Sequence, residues 1–235
     1  MIDDGPALVP AAGDPSRFAF VARSWQATVE QERQATSALV ERWEASAATL
    51  AREEAALTAG GRWRGGPRTL MAALRLQYRE LPLTAGLAWL LRPDGHHGLG
   101  TLALDGLLRH LGLPACEAPN RVRVAIEDHR EDTRADLVVY GSDFTIVVEA
   151  KTFALEQPRQ LERLESLWEH DPGATFVFLT RGERPPTTAR AGGAQWHALT
   201  WTDVASIVQR ATDVSTGAAQ GVEEFRATLE EYHHD

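Results

Sequence analysis

Lysine is nearly missing from this 235-residue chain. Of its 24 lysine and arginine residues, Lys151 alone is lysine. Where the composition drifts toward arginine wherever either cation serves, the position that stays lysine is informative. A guanidinium is a broad planar fork that does not deprotonate in proteins, whereas an ammonium is a compact point charge of tunable pKa. Cysteine is equally scarce. Cys116 stands alone, which excludes an internal disulfide and a multi-cysteine metal site. It reads as a small core residue rather than a nucleophile. The eight histidines are scattered, which argues against zinc. No apolar run approaches the ~20 residues that span a bilayer. The acidic, proline-bearing start Met1–Pro6 lacks the basic and apolar regions of a secretion signal. A soluble, cytoplasmic chain with no membrane partner is expected. Gly141, Gly192 and Gly193 lack the spacing of a nucleotide-binding loop.

What is present is unevenly charged. The net charge is −9, which argues against nonspecific nucleic-acid binding. Residues 1–59 carry a net −4, residues 60–126 a net +5 and residues 127–235 a net −10. Residues 60–79 hold five arginines and no acid. Arg62, Arg64, Arg68 and Arg75 are therefore candidates for phosphate contact, or else form a solvated helix face.

Proline and glycine at positions 5, 6, 10, 13 and 15 mark a flexible leader over 1–16. From Arg17 to Ala59 neither occurs, and alanine, glutamate, glutamine and arginine dominate, which predicts a helical arm, either one long helix or a helical hairpin. Trp25, Val29, Thr36, Leu39, Trp43, Leu50 and Leu57 fall on alternating 4–3 spacing, interrupted at Glu32, Ser46 and Glu53. The arm either packs on the chain's own core or pairs with a second copy as a homodimer. Gly60-Gly61 and Gly65-Gly66-Pro67 mark a boundary, and 60–235 reads as the second domain. Helices are expected over 68–79, 83–91 and 99–111. Strands are expected at 121–126, 135–140 and 144–148, the last continuously apolar and hence buried on both faces. A helix opened by Pro158, a buried strand at 174–180, a short strand at 196–199, a helix capped by Thr202 or Asp203 and a last helix over 222–232 complete an α/β/α sandwich with a mixed sheet.

The chemistry concentrates in Asp136-Leu-Val-Val-Tyr140 and Phe144-Thr-Ile-Val-Val-Glu149-Ala-Lys151. Glu149 and Lys151 are two apart on a strand and share a face. Across a hairpin, a two-residue loop sets Asp136 diagonal to Glu149, and a four-residue loop over 141–144 sets it directly opposite. A three-residue loop would split the set. Two carboxylates placed together repel and raise a pKa. A hard divalent cation relieves that, with the backbone carbonyl of Ala150 as a third oxygen. Lys151 beside it can orient a water or take its proton for attack on a phosphodiester.

Asp-(x)n-Glu-x-Lys on adjacent strands resembles the PD-(D/E)XK nuclease superfamily. Ala135 stands where the family pattern has proline. Gln160-Leu161 resembles the Gln-Leu that opens the following helix in many members, with Leu164 in place of a usual aromatic. The run from Leu87 to Gly100, with Leu90-Leu91-Arg92-Pro93 before His97-Gly98, is similar to a segment of a bacterial subfamily whose members often carry a metal-site glutamate on an early helix. Glu80 matches that position best. The resemblance spans about residues 78–205. It implies a restriction-endonuclease-like α/β/α fold, a magnesium-dependent nuclease with manganese as a substitute, nucleic acid and above all DNA as partner, and a role in prokaryotic defence or DNA processing. It implies that Asp136 and Glu149 bind metal, Lys151 acts on water and Gln160 assists the metal site or a phosphate. His96 and His97 are left as turn residues or as substrate or metal contacts. The competing class is a noncatalytic binding module on the same fold, which the acidic charge favours.

Overall fold

The computed structural model describes residues 15–62 and 65–233. The leader expected at 1–16 lies outside the described residues except for its last two. The chain divides into two compact units, Met1–Gly65 and Gly66–Asp235.

In the first unit one helix, α1 (Pro15–Ala59), runs for 45 residues, about 68 Å at 1.5 Å per residue. Gly61 ends it in the left-handed conformation (φ 64°). The N–H of Arg62 returns to the Leu57 carbonyl and that of Gly61 to Thr58. This pair of bonds satisfies carbonyls that a helix end leaves open, at the residue type that takes positive φ without cost.

The second unit is built on a five-stranded sheet of order β1-β2-β3-β4-β5. The strands are β1 (Arg123–Arg130), β2 (Thr133–Tyr140), β3 (Thr145–Lys151), β4 (Ala174–Thr180) and β5 (Trp196–Thr200). β1, β2 and β3 form an antiparallel meander, and β3, β4 and β5 run parallel. Every residue of β3 is buried, as its apolar run requires for a strand covered on both faces. One face packs Val138, Val147, Phe176 and Phe178 against Leu161, Leu164 and Trp168 of α5 (Gln160–Trp168). The other packs Leu137, Val139, Ile146, Val148 and Leu179 against the remaining helices. These are α3 (Glu80–Leu90), α4 (Leu102–His110), α6 (Trp201–Val214) and α7 (Gln220–Tyr232), with the single turn α2 (Leu70–Ala73) ahead of them.

Several boundaries differ from the sequence expectations for local reasons. The helix expected over 68–79 is one turn only, because Arg75 takes φ 58° and breaks it. That break lets a new helix begin at Glu80. The cap of α6 is Thr200, two residues early, and Asp203 sits at its third position. The two side chains exchange hydrogen bonds with each other's backbone N–H in a capping box. Cys116 is partly buried against the larger core, and burial pushes its thiol upward, away from the reactive thiolate.

Candidate active site

Where β2 parts from β3, backbone pairing gives way to side-chain chemistry. The β2–β3 ladder runs from Tyr140↔Thr145 to Leu137↔Val148, so the connection is the four residues Gly141–Phe144. The next step places Asp136 opposite Glu149. The ladder on the other side lapses at the same point. β1 pairs with β2 at Ile126↔Leu137 and Asp128↔Ala135, but not at Glu127 and Asp136, where Glu127 takes φ 50°. A non-glycine residue in that conformation inside a strand is strained. Strict alternation also lapses there, since Ala135 and Val138 belong to one core and Leu137 and Val139 to the other.

Freed from the ladder, Asp136 accepts the N–H of Ala150 on Oδ2 at 2.9 Å. In a strand the N–H and C=O of one residue point to the same edge. The Ala150 carbonyl is therefore aimed at the same opening. Glu149 is fully buried. Its Oε1 accepts from Lys151 Nζ at 2.5 Å and from Gln160 Nε2 at 2.6 Å. Its Oε2 has no hydrogen-bond partner among the described residues. Glu80, at the first position of α3, accepts the N–H of Thr152 at 2.8 Å. The structure thus brings Glu80, Asp136, Glu149, Lys151 and Gln160 to one place from two helices and two strands.

Gln160 is held from both ends. The N–H of Gln157 donates to its Oε1 at 3.0 Å, which orients the amide so that nitrogen faces Glu149. The helix that carries it, α5, has no side-chain cap of its own. Its free N–H groups are met from a distance: Leu161 donates to the Thr188 hydroxyl and Glu162 to the Thr188 carbonyl. Thr187 and Thr188 are in turn gripped by Glu156, which accepts both their N–H groups and both hydroxyls.

Electrostatics follow from this crowding. Burial first, and the Asp136 charge second, push Glu149 up to about 8. Burial also raises Asp136, against the opposing Ala150 N–H. For Lys151 burial is the largest single influence and disfavours the ammonium. The charges of Glu149, Asp136 and Glu80 together outweigh it and keep its pKa above the ordinary value. Three carboxylates facing one cation, with a buried carboxylate oxygen left without a donor, form a set that a divalent cation would satisfy. Among the described residues no group of three or more His, Cys, Asp or Glu side chains is gathered closely enough to hold a metal ion by itself. A cleft of about 340 Å³ opens beside the set, lined by Arg79, Glu80, Thr84, Glu127, Arg134 and Asp136.

Arg68 is exposed and lies 3.7 Å from Glu231, Arg75 is exposed in its positive-φ turn, Arg62 belongs to the first unit, and Arg64 lies outside the described residues. Arg79 and Arg134 line the cleft instead. His97 is fully buried. It accepts the Leu99 N–H on Nδ1, so its proton is on Nε2, which donates to the Arg92 carbonyl at 2.7 Å. That makes it a turn-bracing residue. His96 is exposed. The sequence reading passed over Tyr78, Phe153 and Arg181. No periodicity marks them, although an exposed aromatic two residues past a catalytic-type lysine is a signal in hindsight.

A mixed sheet whose central strand ends in Glu-x-Lys, with an aspartate from the neighbouring antiparallel strand, is a restriction-endonuclease-like α/β fold. A family model described as the PD-(D/E)XK nuclease superfamily matches residues 70–234. The chain belongs to that superfamily. No curated protein and no solved structure matches the chain.

Proposed function

We propose that the chain is a divalent-metal-dependent nuclease that hydrolyses phosphodiester bonds in nucleic acid, DNA first among candidates, in prokaryotic defence or DNA processing. The observation that carries this reading is Glu149: a buried carboxylate with one oxygen held by Lys151 and Gln160 and the other without a donor, beside Asp136. Asp136, Glu149 and the Ala150 carbonyl are the holding groups, with Glu80 as a further donor. Magnesium is the expected ion and manganese the substitute. When bound there, such an ion polarises the scissile phosphate as a Lewis acid.

The chain's own groups do the rest. The raised pKa of Lys151 makes it an ammonium at neutral pH, so it orients the attacking water and offsets charge on the phosphate rather than taking a proton. Gln160 anchors Glu149 and keeps its carboxylate turned toward Asp136. Arg79 and Arg134 line the cleft and would meet phosphates there, Arg134 by exchanging its ion pair with Glu127 for a phosphate. The exposed seam of α1 is proposed to join two chains as a homodimer. A noncatalytic module on this fold would have no use for the full set of Asp136, Glu149 and Lys151, which this chain retains.

The test is incubation of the pure chain with single- and double-stranded DNA and RNA, with and without Mg²⁺ or Mn²⁺. Metal-dependent cleavage is expected from the native chain. Lys151→Ala should abolish it while leaving thermal unfolding unchanged within a few degrees. Cleavage that persists in Lys151→Ala would sink the assignment.

A further inference from the structure

Among the described residues of the Gly66–Asp235 unit, two aromatic side chains are exposed, and they touch each other at the edge of the candidate active site. Tyr78 is 40% exposed and Phe153 60%. Their ring centroids are 5.6 Å apart at a 60° tilt. Tyr78 is braced from behind by Tyr232 and His233. Both belong to the segments that build the site: Tyr78 lies two residues before Glu80, and Phe153 two after Lys151. Glu80 and the residue between Lys151 and Phe153 are joined by the Thr152 hydrogen bond. Two residues of extended chain span at most about 7 Å, so the Phe153 backbone is within a nucleotide's reach of the lysine. The guanidinium of Arg181 lies 5.3 Å from the Phe153 ring, and its Nε has no hydrogen-bond partner among the described residues.

Exposed aromatic rings are costly to maintain in water without a use, since each forfeits the stabilisation that burial would bring. Elsewhere in this unit the aromatic residues are buried or partly buried. An aromatic face beside an arginine guanidinium, contiguous with the proposed phosphate-handling site, has the chemistry of a base-stacking platform. Every nucleobase offers a π-face, and the arginine supplies attraction for the backbone. A base inside a duplex is already stacked on its neighbours and cannot use such a platform without being drawn out.

We infer that Phe153 and Tyr78 stack an unpaired nucleobase adjacent to the scissile phosphate, with Arg181 as its cationic neighbour, so that the substrate is single-stranded or carries an unpaired nucleotide at the cut. The inference rests on the nuclease reading for the identity of the adjacent site, but it is tested by binding and not by cleavage. An oligonucleotide bearing the fluorescent base 2-aminopurine is titrated with full-length Lys151→Ala protein in Mg²⁺, once as a single strand and once as a matched duplex. The single strand should bind more tightly and its fluorescence should be quenched by stacking. Phe153→Ala in that background should weaken binding roughly 5- to 100-fold and remove the quench. Phe153→Trp should keep both, which separates loss of stacking from loss of fold. Tighter binding of the duplex, no binding of either form, or single-strand affinity and quench unchanged by Phe153→Ala overturns the inference. The last is the result expected if the aromatic pair instead docks a protein. If the native chain cleaves nucleic acid while Phe153→Ala leaves binding intact, the platform falls and the nuclease reading stands. If nothing is cleaved but Phe153-dependent stacking is measured, the reverse holds.

Discussion

Glu149 is pulled two ways by its surroundings, and the pull sets a pH dependence. Its folded pKa of about 8 lies above the 4.5 of an ordinary glutamate. For a group raised on folding, the favourable contribution is complete below the unfolded value and disappears as pH climbs through the folded one. In chelator, the protein should therefore lose stability between about pH 4.5 and 8 through this residue. Glu149→Gln, which cannot ionise, should flatten that loss in a thermal melt series. Metal binding has the opposite slope, because the cation must displace the proton that Glu149 still carries below about pH 8. Mg²⁺ affinity measured by calorimetry should rise with pH up to about 8 and release protons on binding. A pH-independent affinity would remove Glu149 from the metal site. Lys151 argues a second point at this scale. It was legible from composition alone, as the one basic position that did not become arginine. The pocket explains why: the lysine is 7% exposed and its ammonium donates to a carboxylate two residues away on its own strand. A guanidinium is too broad for that position. Lys151→Arg should therefore be as inactive as Lys151→Ala in a cleavage assay, despite keeping the charge.

At the scale of elements, the strands of the site were readable because their signals are local. The apolar run of β3, the Gly141-Ser142-Asp143 turn and the parity of the connection are all properties of one stretch of chain. What was not readable depends on residues distant in sequence. Nothing near Arg75 announces its positive φ, so the helix expected over 68–79 hides the turn that frees Glu80 to start α3. The lapse of pairing at Glu127 opposite Asp136 is likewise a property of two strands together. The start of α5 is the clearest instance. Its N-terminal N–H groups are capped by Thr188, 27 residues on from Leu161, and that threonine is fixed by Glu156. A cap of this kind contributes about 1 kcal/mol. Thr188→Val should lower stability by about that amount. Because Gln160 sits in the first turn, it should also loosen the Glu149 anchor. The expected reading is a fall in kcat with KM nearly unchanged, and a smaller effect from Thr188→Ser, which keeps the hydroxyl. Loss in Thr188→Ser with none in Thr188→Val would mean that the methyl group matters and the cap does not.

The whole molecule combines a compact unit that holds the site with a helix that holds almost no core. Trp25 and Trp43 are each 70% exposed, Leu50 is 65% and Leu39 is 58%. They lie on the 4–3 seam read from the sequence, as does Val29, while the exposed Phe20 and Val40 lie off it. Burying a large apolar side chain stabilises by roughly 1.5–3 kcal/mol, and four such positions per chain are enough to hold two helices together. Glu32, Ser46 and Glu53 interrupt the same seam, and burying a carboxylate without a partner opposes association. The balance predicts a reversible homodimer rather than a permanent one. Sedimentation velocity of the full-length chain should show a concentration-dependent shift from monomer to dimer. Trp43→Glu should hold it as monomer with helix content unchanged by circular dichroism, since the residue is exposed and makes no contribution to the fold of its own helix. Glu32→Leu and Glu53→Leu should do the reverse and tighten the dimer. A chain that stays monomeric across the range, or one that Glu32→Leu leaves unaffected, would show that these positions are not the seam of a pair. The site does not depend on the outcome, because Glu80, Asp136, Glu149, Lys151 and Gln160 all come from one chain. Dimerisation would instead set how many cleavage sites act together on one nucleic acid. A dimer should therefore cut a substrate carrying two accessible sites faster than the Trp43→Glu monomer does, at equal chain concentration, while single-site substrates are cut alike.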